Sequence, residues 1–206
     1  MSPHEPDLAA RKRAILAAAT ALFARKGFEQ TTMDDLAAEA GLSKGGLYWH
    51  FKSKDDVIMA LLAQYFDAEL AGLDALAASG RSASESLRAL YQLVSADFAE
   101  IISDRSLSLA FYAAAVHRED VRQHLRLYYA RYRDALTTII QRGIDAGEFA
   151  AAPASEVAIA FIAQFEGILL LHTISPDLVD LPRQIEVASQ LLLTGLRRAE
   201  NDGIST

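Results

Sequence analysis

Five prolines stand at positions 3, 6, 153, 176 and 182, so the whole stretch from Asp7 to Ala152 is free of the strongest helix breaker. A chain that long without proline can run as an unbroken succession of helices. Its apolar residues recur at three- and four-residue spacing: Ile15, Ala18, Ala19, Leu22, Phe23; then Val57, Ile58, Leu61, Leu62, Tyr65, Phe66; then Leu87, Leu90, Tyr91, Val94, Phe98; then Val121, Leu125, Tyr128, Tyr132, Leu136, Ile139. No comparable segment alternates with period two, so the fold class predicted is all-α. Hydrophobic residues at 51% and charged residues at 23% supply a real core and exclude disorder for most of the length. The absence of cysteine excludes disulfides, thiolate metal sites and a cysteine nucleophile.

The opening residues, Met1-Ser2-Pro3-His4-Glu5-Pro6-Asp7, put acids and prolines where a secretory apolar core would stand, so export by that route is not expected. The longest apolar tract, Val157 to Ile174, is interrupted by Gln164, Glu166 and His172, which suit a lipid-facing span poorly. A cytoplasmic protein without a membrane partner is expected. The net charge of −7 is unevenly placed: residues 1–56 hold eight bases and eight acids, and residues 57–206 hold 12 bases and 19 acids. All five lysines fall in the first segment. Two parts with different electrostatic tasks are implied, divided here as 8–54 and 55–206.

The first part contains two short helices around a sharp turn. Thr32 is an N-cap with Asp35 three residues on, opening a helix over Met33 to Ala40. Gly41 supplies the left-handed residue that ends it, Leu42 fills the corner, and Ser43 caps a second helix from Lys44 to His50. Leu36, Ala37, Ala40, Leu42, Leu47 and Phe51 then face inward onto Ile15, Leu22 and Phe23. The opposite face presents Lys44, Gly45, Tyr48, Trp49 and His50, with Lys52 and Lys54 beyond. Such a face suits the second helix of a helix-turn-helix, over about 32–51, entering a major groove with flanking groups on phosphates. On spacing alone, an αα-hairpin with a solvated polar face fits as well.

The stretch from Thr31 through Leu36-Ala37, Ala40-Gly41-Leu42-Ser43-Lys44 and Leu47-Tyr48-Trp49-His50-Phe51 to Lys54 closely resembles the DNA-binding head of TetR-family transcriptional regulators. The likeness extends back to Arg13 and forward to Val57, about the first quarter of the chain. The rest is similar in layout only: a divergent helical domain ending in two apolar helices. The resemblance implies an N-terminal three-helix head joined to a larger helical effector-binding and dimerisation domain. It implies that Thr32 and Met33 open a helix beside the DNA backbone, and that Lys44, Gly45 and Gly46 start the recognition helix. Tyr48, Trp49 and His50 would meet phosphates and base edges, and Lys54 would hold a phosphate. Gly46 departs from the threonine frequent in the family, removing one DNA contact. Arg11-Lys12-Arg13 is either a basic arm or a solvated helix start.

Ala154 to Ile174 is apolar nearly all round and Ile185 to Leu196 continues the theme, so these helices either pair across a homodimer or form a buried central pair in one chain. For the dimer, Ile162, Leu169, Leu170, Leu192 and Leu196 are the expected interface, and two heads would then grip a palindromic double-stranded operator. The aromatic set Phe66, Tyr91, Phe98, Phe111, Tyr112, Tyr128, Tyr132, Phe161 and Phe165, with Glu166, is the expected pocket for a small effector; singly, each is an ordinary core residue. Gln164, Glu166 and His172 need partners or a cavity. Resemblance favours a repressor released by that effector. The rival is an all-helical enzyme or adaptor. His117 and His124, seven apart, share a helical face with Glu119 and Asp120 near them, but Arg118 and Arg122 would repel a cation, and no nucleophile elbow or phosphate-binding glycine loop is present. No metal, cofactor or catalysis is expected.

Overall fold

A computed structural model of the chain describes residues 5–96, 109 and 111–197, and these are helical throughout their regular structure. The helices are α1 (Glu5–Lys26), α2 (Met33–Glu39), α3 (Lys44–His50), α4 (Lys54–Ala77), α5 (Ala83–Ala96), α6 (111–117), α7 (Glu119–Asp145), α8 (Ala154–Ile174) and α9 (Leu181–Leu196). Helix α2 stops one residue before the expected Ala40, which serves as its C-cap. Among the described residues the only strand-like pairing is an isolated antiparallel bridge between Phe149 and Arg197.

The chain groups into two compact units, one of described residues up to 68 with 109–125, the other of residues 69–96 with 126–197. The first unit therefore runs past the boundary expected at Lys54, along α4, and takes in α6 and the start of α7. Its core is built from Ile15, Leu22 and Phe23 of α1, Leu36 and Leu47 of the short helices, and Val57, Ile58 and Leu62 of α4, all buried. Burying each such side chain contributes about 1.5–3 kcal/mol, enough to hold two seven-residue helices too short to persist alone.

In the second unit α5 and α8 both pack on α9. The expected capping box opens α5: Glu85 N–H donates to Ser82 Oγ at 3.1 Å, and Ser82 N–H to Glu85 Oε2 at 3.0 Å. Glu148 reinforces it from 65 residues away, its carboxylate accepting from Ala83 N and Ser84 N at 3.0 Å each. Helix α7 comes so near that a Cβ on Gly143 would lie 2.4 Å from the Phe149 ring and 2.7 Å from Ala83 Cβ.

Helices α8 and α9 bury one side each. Phe161 and Leu169 of α8 and Ile185, Leu193 and Leu196 of α9 are core, whereas Ile159, Leu170, Leu171 and Ile174 on α8, with Val187 and Leu191 on α9, are exposed. Two residues expected at a dimer interface are thereby corrected: Leu169 (0% exposed) and Leu196 (5%) are packed inside their own chain. Ile162 and Leu192 are half-buried, and Leu170 is exposed. Helix α8 has the length and composition of a membrane span. Its polar residues are nonetheless bonded within the chain: Gln164 to Tyr91, Glu166 to Tyr129, and His172 Nδ1 to Val179 O.

Candidate nucleic-acid interface

The head is assembled by local rules. Thr32 Oγ1 accepts from Asp35 N at 3.1 Å, while the Asp35 carboxylate accepts from Thr32 N at 2.8 Å, the reciprocal box read from the sequence. Lys26 at the end of α1 pairs with the same carboxylate at 2.6 Å. The Lys26 bond, then those from Thr32, hold Asp35 far below the ordinary carboxylate range. A second pair, Arg25 to Glu39 at 2.8 Å, ties α1 to the other end of α2.

Gly41 takes φ +64° and turns the chain. Its N–H donates to Ala38 O at 3.1 Å and the Leu42 N–H to Ala37 O at 2.8 Å, the two bonds that close a helix on a left-handed residue. Ser43 then caps α3, accepting from Gly46 N at 3.1 Å. With Leu47 fully buried beneath α3, the outer face is fixed: Gly45 is open, Tyr48 is 37% exposed and Trp49 64%. His50 is half-buried, edge-on to the Trp49 ring at 4.7 Å. Burial, then the charges of Arg11 and Lys12, push the His50 imidazole below its ordinary value. Arg11, Lys12 and Arg13 are exposed within α1, Lys12 Nζ standing 5.6 Å from the Phe51 ring.

The three lysines around α3 differ. Lys44 pairs with Asp34 at 2.9 Å, both exposed, a contact weak enough for a phosphate to displace. Lys52 Nζ donates to Tyr48 O at 3.0 Å near the carboxyl end of α3. Lys54, expected at a phosphate, donates to Phe28 O at 2.9 Å and Glu29 O at 3.3 Å and sits 4.3 Å from the Phe28 ring centroid. Two of its three protons thus go to the α1–α2 turn. A Cβ at Gly46 would meet Ser43 Oγ at 3.3 Å, so the residue replacing the usual threonine faces the N-cap. Thr32 is exposed and Met33 half-buried.

Sequence reasoning missed the cap that opens α4. Ser53 Oγ accepts from Asp56 N at 3.1 Å and Asp56 accepts from Ser53 N at 3.1 Å, a capping box legible in Ser53-Lys54-Asp55-Asp56.

The aromatic residues expected around an effector fall into two groups. In the first unit Phe66 and Phe111 are buried with centroids 6.2 Å apart, and Tyr112 is half-buried. In the second, Tyr91 packs on Phe161 at 4.9 Å and Tyr128 on Tyr132 at 5.7 Å. Tyr128 donates to Glu69, Tyr129 to Glu166 at 3.0 Å, and Tyr91 lies 3.4 Å from Gln164 Oε1. Burial, then the Glu69 carboxylate, drives the Tyr128 and Tyr132 phenols far above their ordinary range, so both remain hydroxyl donors. Phe165 is half-buried; Phe98 lies outside the described residues. Glu69 was not singled out from sequence, since nothing local marks a glutamate that bonds a tyrosine 59 residues away. His117 is exposed, and His124 lies 6.5 Å from the Phe66 ring.

A capped pair of short helices, presenting aromatic and basic side chains from the second, defines a helix-turn-helix DNA-binding regulator. The family model described as "Bacterial regulatory proteins, tetR family" matches residues 15–61, and that described as "BetI-type transcriptional repressor, C-terminal" matches residues 83–197. An uncharacterised HTH-type transcriptional regulator of Bacillus subtilis, YfiR, is 30% identical over 77% of this chain and 78% of its own. The HTH-type transcriptional regulator TtgR of Pseudomonas putida is 28% identical over 84% of each. A solved SmeT–triclosan complex shares the fold, with a TM-score of 0.78 and 23% identity over 96% of this chain and 95% of that one. The chain belongs to the TetR family of transcriptional regulators. It is a ligand-responsive DNA-binding repressor, and the reading as a helical adaptor or enzyme without DNA binding is not favoured.

Proposed function

We propose that two copies of the chain dock their α3 helices in successive major grooves of a palindromic operator, and that a small effector in the second unit releases them. The observation that carries this is the outer face of α3, where two large aromatic side chains stand exposed above a fully buried Leu47. Exposed aromatics beside lysines on a helix this short need a partner, and the major groove offers phosphates and base edges at that reach. Lys44, released from Asp34, meets a phosphate or guanine; Tyr48 and His50 meet phosphates; Thr32 and Met33 lie beside the backbone. Lys54 serves mainly to hold the turn that presents α2.

The exposed apolar stripe Ile159, Leu170, Leu171 and Ile174 of α8, continued by Val187 and Leu191 of α9, supplies the homodimer contact. The effector site is the second-unit group of Tyr91, Tyr128, Tyr129, Tyr132, Phe161, Glu69 and Glu166, where rings and two carboxylates favour an amine-bearing molecule. The chain acts in the cytoplasm and is not an enzyme.

Sequencing of genomic fragments retained by the purified protein at physiological salt tests the central claim, with Tyr48→Ala/Trp49→Ala as control. An inverted repeat enriched by the wild type alone is expected. Equal retention by the control, or no repeat, counts against it. For the effector, amines should raise the melting temperature and their neutral isosteres should not; equal behaviour of the two removes the amine from the proposal.

A further inference from the structure

Arg118 lies between two helices and belongs to neither. Its N–H closes α6 on Ala114 O at 2.9 Å, and its carbonyl opens α7 by accepting from Arg122 N at 3.1 Å. The side chain, one-fifth exposed, turns toward the head rather than to solvent. One terminal nitrogen donates to Asp55 Oδ1 at 2.5 Å; Nε and the other bond both oxygens of Asp120 at 3.2 and 2.6 Å. The guanidinium also stands 5.7 Å from the Phe28 ring, which Lys54 approaches to 4.3 Å. Phe28 in turn packs edge-on against Phe23 of α1 at 5.4 Å. One planar fork therefore reaches the first turn of α4, the α1–α2 turn and the first turn of α7, a geometry a lysine cannot reproduce.

We propose that Arg118 is a positioning residue for operator binding: by holding Asp55 and the face of Phe28 together, it sets where the α1–α2 turn, and the recognition helix built on it, are held against the α6–α7 joint. It touches no DNA. Its effect is felt when two heads must meet two half-sites at one spacing, so the inference rests on the paired-operator reading above. A group that only positions a head changes affinity for the pair of half-sites. A group that meets a phosphate changes affinity everywhere and lowers the slope of log affinity against log salt by about 0.9 per contact.

The test uses full-length protein and the fragment most enriched by the wild type, alongside a half-site cut from it. Arg118→Gln, Arg118→Lys and Asp55→Asn are compared with Lys44→Ala; Asp55 is 62% exposed, so its replacement leaves the core untouched. Each of the first three should bind the full site roughly tenfold more weakly, with half-site affinity and salt slope as in the wild type. The exchanged pair Arg118→Asp/Asp55→Arg should recover part of the loss, and Lys44→Ala should lose affinity on both DNAs with a shallower slope. Wild-type affinity of Arg118→Gln and Asp55→Asn for the full site would overturn the inference. So would an equal loss on the half-site with a shallower slope, which would make Arg118 a DNA contact. If the wild type selects no inverted repeat, the paired-operator reading falls and this inference with it.

Discussion

Gly143 and Gly45 both lie inside helices without a positive φ, yet their surroundings differ. A methyl at 143 would stand 2.4 Å from a ring and 2.7 Å from Ala83 Cβ, whereas a methyl at 45 meets nothing within 4 Å. Gly143→Ala should therefore destabilise by about 1–3 kcal/mol through overpacking. Gly45→Ala should stabilise by up to ~1 kcal/mol through helix propensity while placing a methyl on the face proposed to meet DNA. Thermal melts of the two variants should move in opposite directions. His50 makes a different demand. Its imidazole is pushed below the ordinary value in the free head, so it is neutral at pH 7, and a phosphate beside it would favour the charged form. Docking then takes up a proton, and operator affinity rises as pH falls below neutrality. His50→Gln should flatten that profile; a flat wild-type profile would mean that no phosphate sits at His50.

Helix α5 shows how an element can depend on a residue outside it. Burial raises the Glu148 carboxyl, but the N–H groups of Ser84 and Ala83 outweigh it and hold the group below its ordinary value. A carboxylate depressed in the folded state contributes stability above its unfolded pKa and loses it as pH falls through the folded one. Glu148→Ala should accordingly cost about 1–2 kcal/mol in denaturant unfolding at pH 7, with the gap to wild type closing below pH ~4.5. The caps on α2, α3 and α5 were legible in sequence because they join residues three apart under rules that need no tertiary information. The bonds from Glu148 to Ala83, Lys54 to Phe28, Arg118 to Asp55 and Tyr128 to Glu69 were not, since they span 65, 26, 63 and 59 residues. No local pattern says which of many charges will meet at that separation. The same limit misplaced Leu169 and Leu196: an all-apolar helix does not declare which side its own chain will cover.

For the whole molecule, the proposed homodimer turns on the exposed apolar stripe of α8 and α9. Ile174 and Leu191 are 69% and 64% exposed, so Ile174→Glu/Leu191→Glu leaves the core intact. Light scattering should report half the wild-type mass with unchanged helicity, and affinity for the inverted repeat should fall by roughly two orders of magnitude as the second head ceases to be tethered. An effector that empties the operator must favour the released form by about 5.5 kcal/mol, so tight binding without that preference would leave repression in place.

The compact unit that carries the recognition helix is drawn from two separate stretches of chain, residues up to 68 and 109–125. Consider a domain exchange in which the head of one such regulator is spliced onto the sensing part of another along α4, after residue 68. Here such a splice would cut between partners: the incoming head would arrive without a counterpart for Arg118 unless it carried an acid at position 55 and an aromatic ring at position 28. The unit of exchange is thus discontinuous, and a working chimaera must transplant 109–125 along with the head or match those two positions in the donor.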